Sequence, residues 1–275
     1  MSLPQLKMID KVKETAKTDD AVSAVLMYGS FIKGEGDRYS DIEFYIFHTQ
    51  EIDRREWVGR IMPFVLFFTN EHGTEVAIFE NMVRGEFHFL ELGQVDIVKS
   101  WETQTSFEYA DKMILVDKEG RLAEAISDIS RERPRHDSPE HVEWLVSSLA
   151  NNLLQVKNLL LRNELAHAQH LFQYIQKYLI WMARLADKAD NHWENPTRML
   201  EQELSWPWYG AYAECVPDLD AENLHICFQK SVSFGMKAAC YLGAPLGLID
   251  LVKRIGGMDW VAHEPAASQG SPCGD

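Results

Sequence analysis

Hydrophobic positions change rhythm partway along the chain. Up to about residue 130 they come in short runs and alternations; beyond residue 139 they recur every three or four residues. The first rhythm is that of strands, the second that of helices. Leu6, Ile9, Val12 and Ala16 sit at helical spacing and predict a short amphipathic helix. Residues 21–28 form an apolar run of strand length, broken by Gly29-Ser30. A polar connection over 31–40, with Gly34 and Gly36, leads to a second strand pattern over 41–47. Residues 53–63 predict a short helix that Pro63 ends. Strands are expected over 64–69, 74–79, 83–90 and 113–117, with a turn at 70–73 and a helix over 122–129.

The segment 131–139, RERPRHDSP, carries two prolines and no apolar period, and reads as a domain boundary. Ser138 can cap a helix whose first position is Pro139. Trp144, Leu145, Leu149, Leu153, Val156 and Leu160 form its buried stripe. A second helix is expected over 164–189 with Leu171, Ile175, Tyr178, Leu179 and Met182, and a third over 197–204, opened by Asn195-Pro196. Trp206-Pro207-Trp208 reads as an aromatic break. Asp220 caps a helix to about 242, stopped by Gly243 and Pro245, and a short one covers 246–255. The pattern predicts an α+β chain: a small mixed sheet over 1–133, an antiparallel helical bundle over 134–260, and a disordered, Pro/Gly-rich tail over 261–275.

Charge narrows the partners. The chain has 275 residues, 27 basic against 42 acidic, and a formal net charge of −15. Nucleic-acid binders lean on Lys and Arg, so the balance argues against DNA or RNA and for a small molecule. The apolar runs are too short to span a bilayer, the first 20 residues have no apolar core of signal-peptide type, and a cytoplasmic location is expected. Cys215, Cys227, Cys240 and Cys273 form no C-x-x-C pair and read as free, mostly buried thiols. The histidines show no H-E-x-x-H pattern, and no zinc site is expected.

Candidate chemistry concentrates between residues 28 and 88. On a strand over 41–47, Asp41, Glu43 and Tyr45 share one face and Ile42, Phe44 and Ile46 the other. A lone D-x-E on a strand reads as a solvated acidic face. Here it follows Gly29-Ser30 by about ten residues inside apolar flanks. Adjacent carboxylates repel unless a cation sits between them, and hard oxygen ligands suit Mg²⁺. A Gly-Ser turn after a strand offers backbone N–H groups to phosphate oxygens. Together these parts describe a phosphoryl- or nucleotidyl-transfer site. In VRGEFHF, Arg84, Glu86 and His88 share a face, and Glu86 can complete a metal cage or act as general base. Gly85 beside it could allow close approach of substrate. Lys177, in the second predicted helix, and Lys33, after the Gly-Ser turn, are candidates for triphosphate counter-charge; Trp144, Tyr178, Trp181 and Trp193 read as core.

Hydrophobic-Gly-Ser followed by D-x-E resembles the nucleotidyltransferase superfamily that includes DNA polymerase β. The longer runs MYGSFIKGEGDRYSDIEFYIF and GTEVAIFENMVRGEFHFLE resemble the lincosamide nucleotidyltransferases, antibiotic-resistance enzymes of that superfamily. The resemblance implies an N-terminal transferase domain, a C-terminal helical domain and a homodimer. It also implies Mg²⁺-dependent transfer of AMP from ATP to a hydroxyl of lincomycin or clindamycin, with release of pyrophosphate. Residue by residue, it places two Mg²⁺ ions on Asp41 and Glu43, the base on Glu86, and the phosphate turn on Gly29 and Ser30. An aminoglycoside nucleotidyltransferase, or a non-catalytic nucleotide-binding or antitoxin module, is the alternative.

Overall fold

The short apolar runs of the first half assemble into a sheet, and the three-and-four rhythm of the second half into helices. The computed structural model describes residues 3–102 and 107–257. The chain divides into two compact units, Met1–Pro134 and Arg135–Asp275. The expected tail over 261–275 and Cys273 lie outside the described residues.

The first unit opens with α1 (Pro4–Thr18), which buries Met8, Ile9, Val12 and Ala16. Strands β1 (Val22–Tyr28), β2 (Ile42–His48), β3 (Phe64–Thr69), β4 (Glu75–Phe79), β5 (Arg84–Glu91) and β6 (Ile114–Asp117) form one sheet in the order β3-β4-β5-β2-β1-β6. β2 and β5 run parallel; the other neighbours are antiparallel, so the sheet is mixed. The central strands β1, β2 and β5 carry the fully buried Val25, Leu26, Phe44 and Phe87. Edge strand β3 instead exposes Val65, Leu66 and Phe68.

Where the expected 31–40 connection begins, Ser30–Lys33 winds into one helical turn, α2. Gly29 starts that turn and Gly34, in the left-handed region, ends it. α3 (Arg54–Gly59) is capped by Asp53 and contributes Trp57 to the core, edge-on to Phe89 at 5.7 Å between ring centroids. Phe44 stacks on Phe87 at 5.6 Å. Each such buried aromatic stabilises by roughly 1.5–3 kcal/mol. A 3₁₀ segment (Leu92–Trp101) and α4 (Ala110–Met113) have no counterpart in the sequence reading; α5 (Arg121–Ser127) does.

The second unit holds α6 (Pro139–Leu161), α7 (Leu165–Asp187), α8 (Leu200–Glu203), α9 (Trp206–Ala213), α10 (Ala221–Tyr241) and α11 (Leu246–Gly256). Ser138 and Asp220 cap α6 and α10, accepting from the amides of His141 and Asn223. α6 and α7 pack together across a short turn, which makes them antiparallel neighbours. Two of the expected segments differ. The third helix shrinks to Leu200–Glu203, and the Trp206-Pro207-Trp208 break is the start of α9. Proline has no N–H to satisfy in a first turn, so it opens that helix rather than interrupting it.

Buried polar contacts order the turns between α7 and α8. Arg184 on α7 is fully buried and donates to the carbonyls of Pro196, Ala189 and Arg198 and to Glu203. Glu203 also lies 2.8 Å from His192 Nδ1. Trp181, Trp193 and His136 stack in series, while Trp144 is 48% exposed rather than core. Cys215 and Cys227 are buried free thiols and Cys240 is exposed. Among the described residues no helix is long and apolar enough to cross a membrane.

Candidate active site

Strand register builds one polar face. Tyr28 pairs with Glu43 across β1 and β2, and Glu43 and Tyr45 pair with Glu86 and His88 across β2 and β5. Because side chains alternate, Tyr28, Glu43, Tyr45, Glu86 and His88 stand on the same side of the sheet. Phe44 and Phe87 take the other side and pack the core. Glu86 is therefore an immediate neighbour of Glu43.

Arg84 ties the acids together. Its Nη1 donates to Asp41 Oδ2 at 2.8 Å, and its Nη2 donates to Glu86 Oε1. Burial works against the guanidinium's charge, but Glu86 and Asp41 outweigh it and push its pKa up. The Arg84, Asp41 and Glu86 side chains are 44%, 35% and 20% exposed, so solutes can reach all three. Behind Glu86 lies an aromatic layer. The Tyr28 hydroxyl is 2.9 Å from His88 Nε2 and donates to Glu86 Oε2 at 3.5 Å. His88 lies flat on Tyr45, with centroids 4.2 Å apart and planes 11° apart. Burial first, then Glu43 and Glu86, push the Tyr28 phenol far up. Burial, then Glu86 and Glu43, raise Tyr45 as well. Both phenols stay neutral beside the carboxylates. Burial lowers the His88 pKa against an opposing pull from Glu86.

Gly29 and Ser30 follow directly on β1. Gly29 has φ +84° and ψ −156°, a region that only glycine occupies comfortably. A Cβ there would lie 1.7 Å from Glu43 Oε2, so the missing side chain is the space in which Glu43's carboxylate sits. The Ser30 hydroxyl is buried with no hydrogen-bond partner among the described residues. A buried polar atom without a partner is costly, and a ligand oxygen at this turn would satisfy it.

These donors suit a hard divalent cation. Glu43 and Glu86 offer carboxylate oxygens on one face, with Asp41 joined to Glu86 through Arg84, and the unpartnered Ser30 hydroxyl lies in the turn that seats Glu43. Among the described residues no three acids, histidines or cysteines are already drawn together as a ligand shell. Arg84 spans two of the acids instead.

The other sequence candidates have neighbours of their own. Lys33 ends α2 and, well behind Arg133, helps hold Glu108 below the usual carboxylate range. Lys177 belongs to α7 in the second unit, with its ammonium 4.5 Å from the centre of the Trp181 ring. Arg184 is committed to its own helix end. Gly85 serves packing, not substrate approach: a Cβ there would meet the Phe87 and Phe79 rings at 2.7 and 2.9 Å on the core side. Tyr28 and the bridging role of Arg84 are not evident from the sequence, which places Tyr45 on the acids' face without giving it a role. Tyr28 adjoins the Gly-Ser turn and Arg84 lies two residues before Glu86, but only the strand register shows that they meet.

No curated protein sequence matches this chain. Among solved structures, an aminoglycoside 6-adenyltransferase from Bacillus subtilis aligns at 12% identity, over 91% of this chain and 97% of that one, with a TM-score of 0.43. A nucleotidyltransferase-like protein from Exiguobacterium sibiricum aligns at 12% identity, over 91% of this chain and 77% of that one, with a TM-score of 0.37. Residues 138–249, which span α6 to α10 and enter α11, match a family of C-terminal domains. The model they match is that of the lincosamide nucleotidyltransferase-like C-terminal domain.

Proposed function

We propose that the protein is an Mg²⁺-dependent nucleotidyltransferase that moves AMP from ATP to a hydroxyl of a lincosamide antibiotic. The observation that carries this reading is the pairing of Glu43 with Glu86 on one sheet face beside the Gly29-Ser30 turn, with Asp41 joined to Glu86 through Arg84. The matched C-terminal domain and the sequence resemblance favour the lincosamide acceptor. The chain is read as a homodimer of two-domain protomers, 1–133 and 134–260.

Asp41 and Glu43 would hold two Mg²⁺ ions, with Glu86 as the third carboxylate. Bound Mg²⁺ supplies neutralisation of the triphosphate charge and acidification of the attacking hydroxyl. Gly29 and Ser30 receive phosphate oxygens, the Ser30 hydroxyl gaining the partner it lacks. Lys33 supplies counter-charge to the triphosphate. Glu86 accepts the proton of the drug hydroxyl. The hydroxyl oxygen bonds to the α-phosphorus as the bond to the β-phosphate oxygen breaks. Pyrophosphate leaves with that electron pair. Neutral Tyr28 donates to Glu86 and keeps its carboxylate facing the site.

Pyrophosphate release from ATP is the test, with lincomycin, clindamycin and kanamycin offered separately, with and without Mg²⁺. Release with the lincosamides that stops when Mg²⁺ is chelated supports the proposal. Release with kanamycin alone reverses the acceptor. ATP binding with no release on any acceptor leaves a non-catalytic nucleotide-binding module. Light scattering after gel filtration tests the homodimer.

A further inference from the structure

We propose that Arg84 is a resident counter-ion of the acidic trio, exchanged for the divalent ion when the site loads. The inference rests on the metal-dependent reading above and deepens it. Glu43 and Glu86 are direct register partners, and Asp41 immediately precedes the strand that holds Glu43. Three carboxylates this close repel one another. Arg84 answers that repulsion from within the sheet: two residues before Glu86 on β5, it reaches across to Asp41 and contacts each acid through a different nitrogen.

The lone pairs that Arg84 holds on Asp41 and Glu86 are those a cation needs. The guanidinium cannot step aside by losing its proton, so metal and arginine compete, +2 against +1, for the same oxygens. Arg84 can lose that competition cheaply. It is 44% exposed on a flexible stem, and ion pairs at such positions are weak. The Glu43 carboxylate is seated against Gly29.

The test is Mn²⁺ binding to the full chain, without nucleotide or acceptor, followed by the paramagnetic resonance of free ion. Wild type, Arg84→Gln, Arg84→Lys and Asp41→Asn are compared, with thermal melting as the check of folding. Removing the competing charge should tighten Mn²⁺ binding by about tenfold in Arg84→Gln. Arg84→Lys, which keeps the charge but not the two-nitrogen grip, should fall between that variant and wild type. Asp41→Asn should bind most weakly. If Arg84 were merely structural, its loss would loosen the site and weaken binding instead. Unchanged or weaker binding in Arg84→Gln, or wild-type binding in Arg84→Lys, overturns the counter-ion role and leaves the metal site standing. Mn²⁺ binding that is indifferent to Asp41→Asn removes the metal-dependent reading and Arg84's part in it.

Discussion

Gly29→Ala strikes the turn and the acid together. Two costs follow from the geometry. The backbone there, φ +84° and ψ −156°, suits glycine alone, and forcing a side chain into it costs about 1–3 kcal/mol. For a unit of this size that lowers Tm by roughly 3–10 °C. The added Cβ would also stand 1.7 Å from Glu43 Oε2, well inside the 3.0 Å that real contacts respect, so the carboxylate must retreat by more than an ångström. Misplacing a catalytic group by about 1 Å can slow a reaction on the order of 10²-fold. Gly34→Ala separates the two costs. Gly34 has φ +77°, in the left-handed region, yet its Cβ would meet nothing within 4 Å. It should lose about 1–2 kcal/mol of stability and keep its transfer rate. The assay is pyrophosphate release at saturating ATP and acceptor, beside thermal melts of both variants. If Gly29→Ala lost no more activity than Gly34→Ala, the seating of Glu43 against the turn would have no bearing on chemistry.

Glu86→Gln should abolish transfer while binding of a non-hydrolysable ATP analogue changes little; calorimetry and pyrophosphate release check the two halves, and an active variant removes the base. Arg184→Met takes the cation from a buried network and leaves Glu203 and several carbonyls without their donor. A loss of about 3 kcal/mol, read as a lower urea midpoint, is expected, and an unchanged midpoint contradicts the role given to that network. Acid should also weaken the second unit. Burial, with His141 as neighbour, holds His136 below its ordinary 6.5, and burial does the same for His141. A lowered histidine pKa gives stability that is complete above 6.5 and lost as pH falls through the folded-state values. Burial opposes it, but Arg184 and His192 hold Glu203 below its ordinary 4.5, which adds a second loss at lower pH. Urea midpoints at pH 7.5 and 5.5 measure the first loss, and His136→Gln/His141→Gln should flatten it.

Local signals carried far. Period-two alternation identified β2 and β5 within a residue or two, because only a half-buried strand needs it. Ser138-Pro139 and Asp220 marked the starts of α6 and α10, because a cap is a contact with an amide three residues away. Local signals misled where local chemistry has two uses. Trp206-Pro207 looks the same as a break and as a helix start, and Gly85 the same beside a substrate and beside two phenylalanine rings.

The sequence by itself determined which side chains share a strand face, where the acids lie, and that strands give way to helices near residue 135. It could do so because these are contacts between residues a few positions apart. The tertiary structure decided the rest: that β5 lies parallel against β2 with Glu86 beside Glu43, that Arg84 reaches Asp41, and that Gly29 leaves the space Glu43 fills. Those meetings join residues 14 to 43 positions apart. They depend on the order and register of the strands, which the whole sheet's packing sets rather than any one segment.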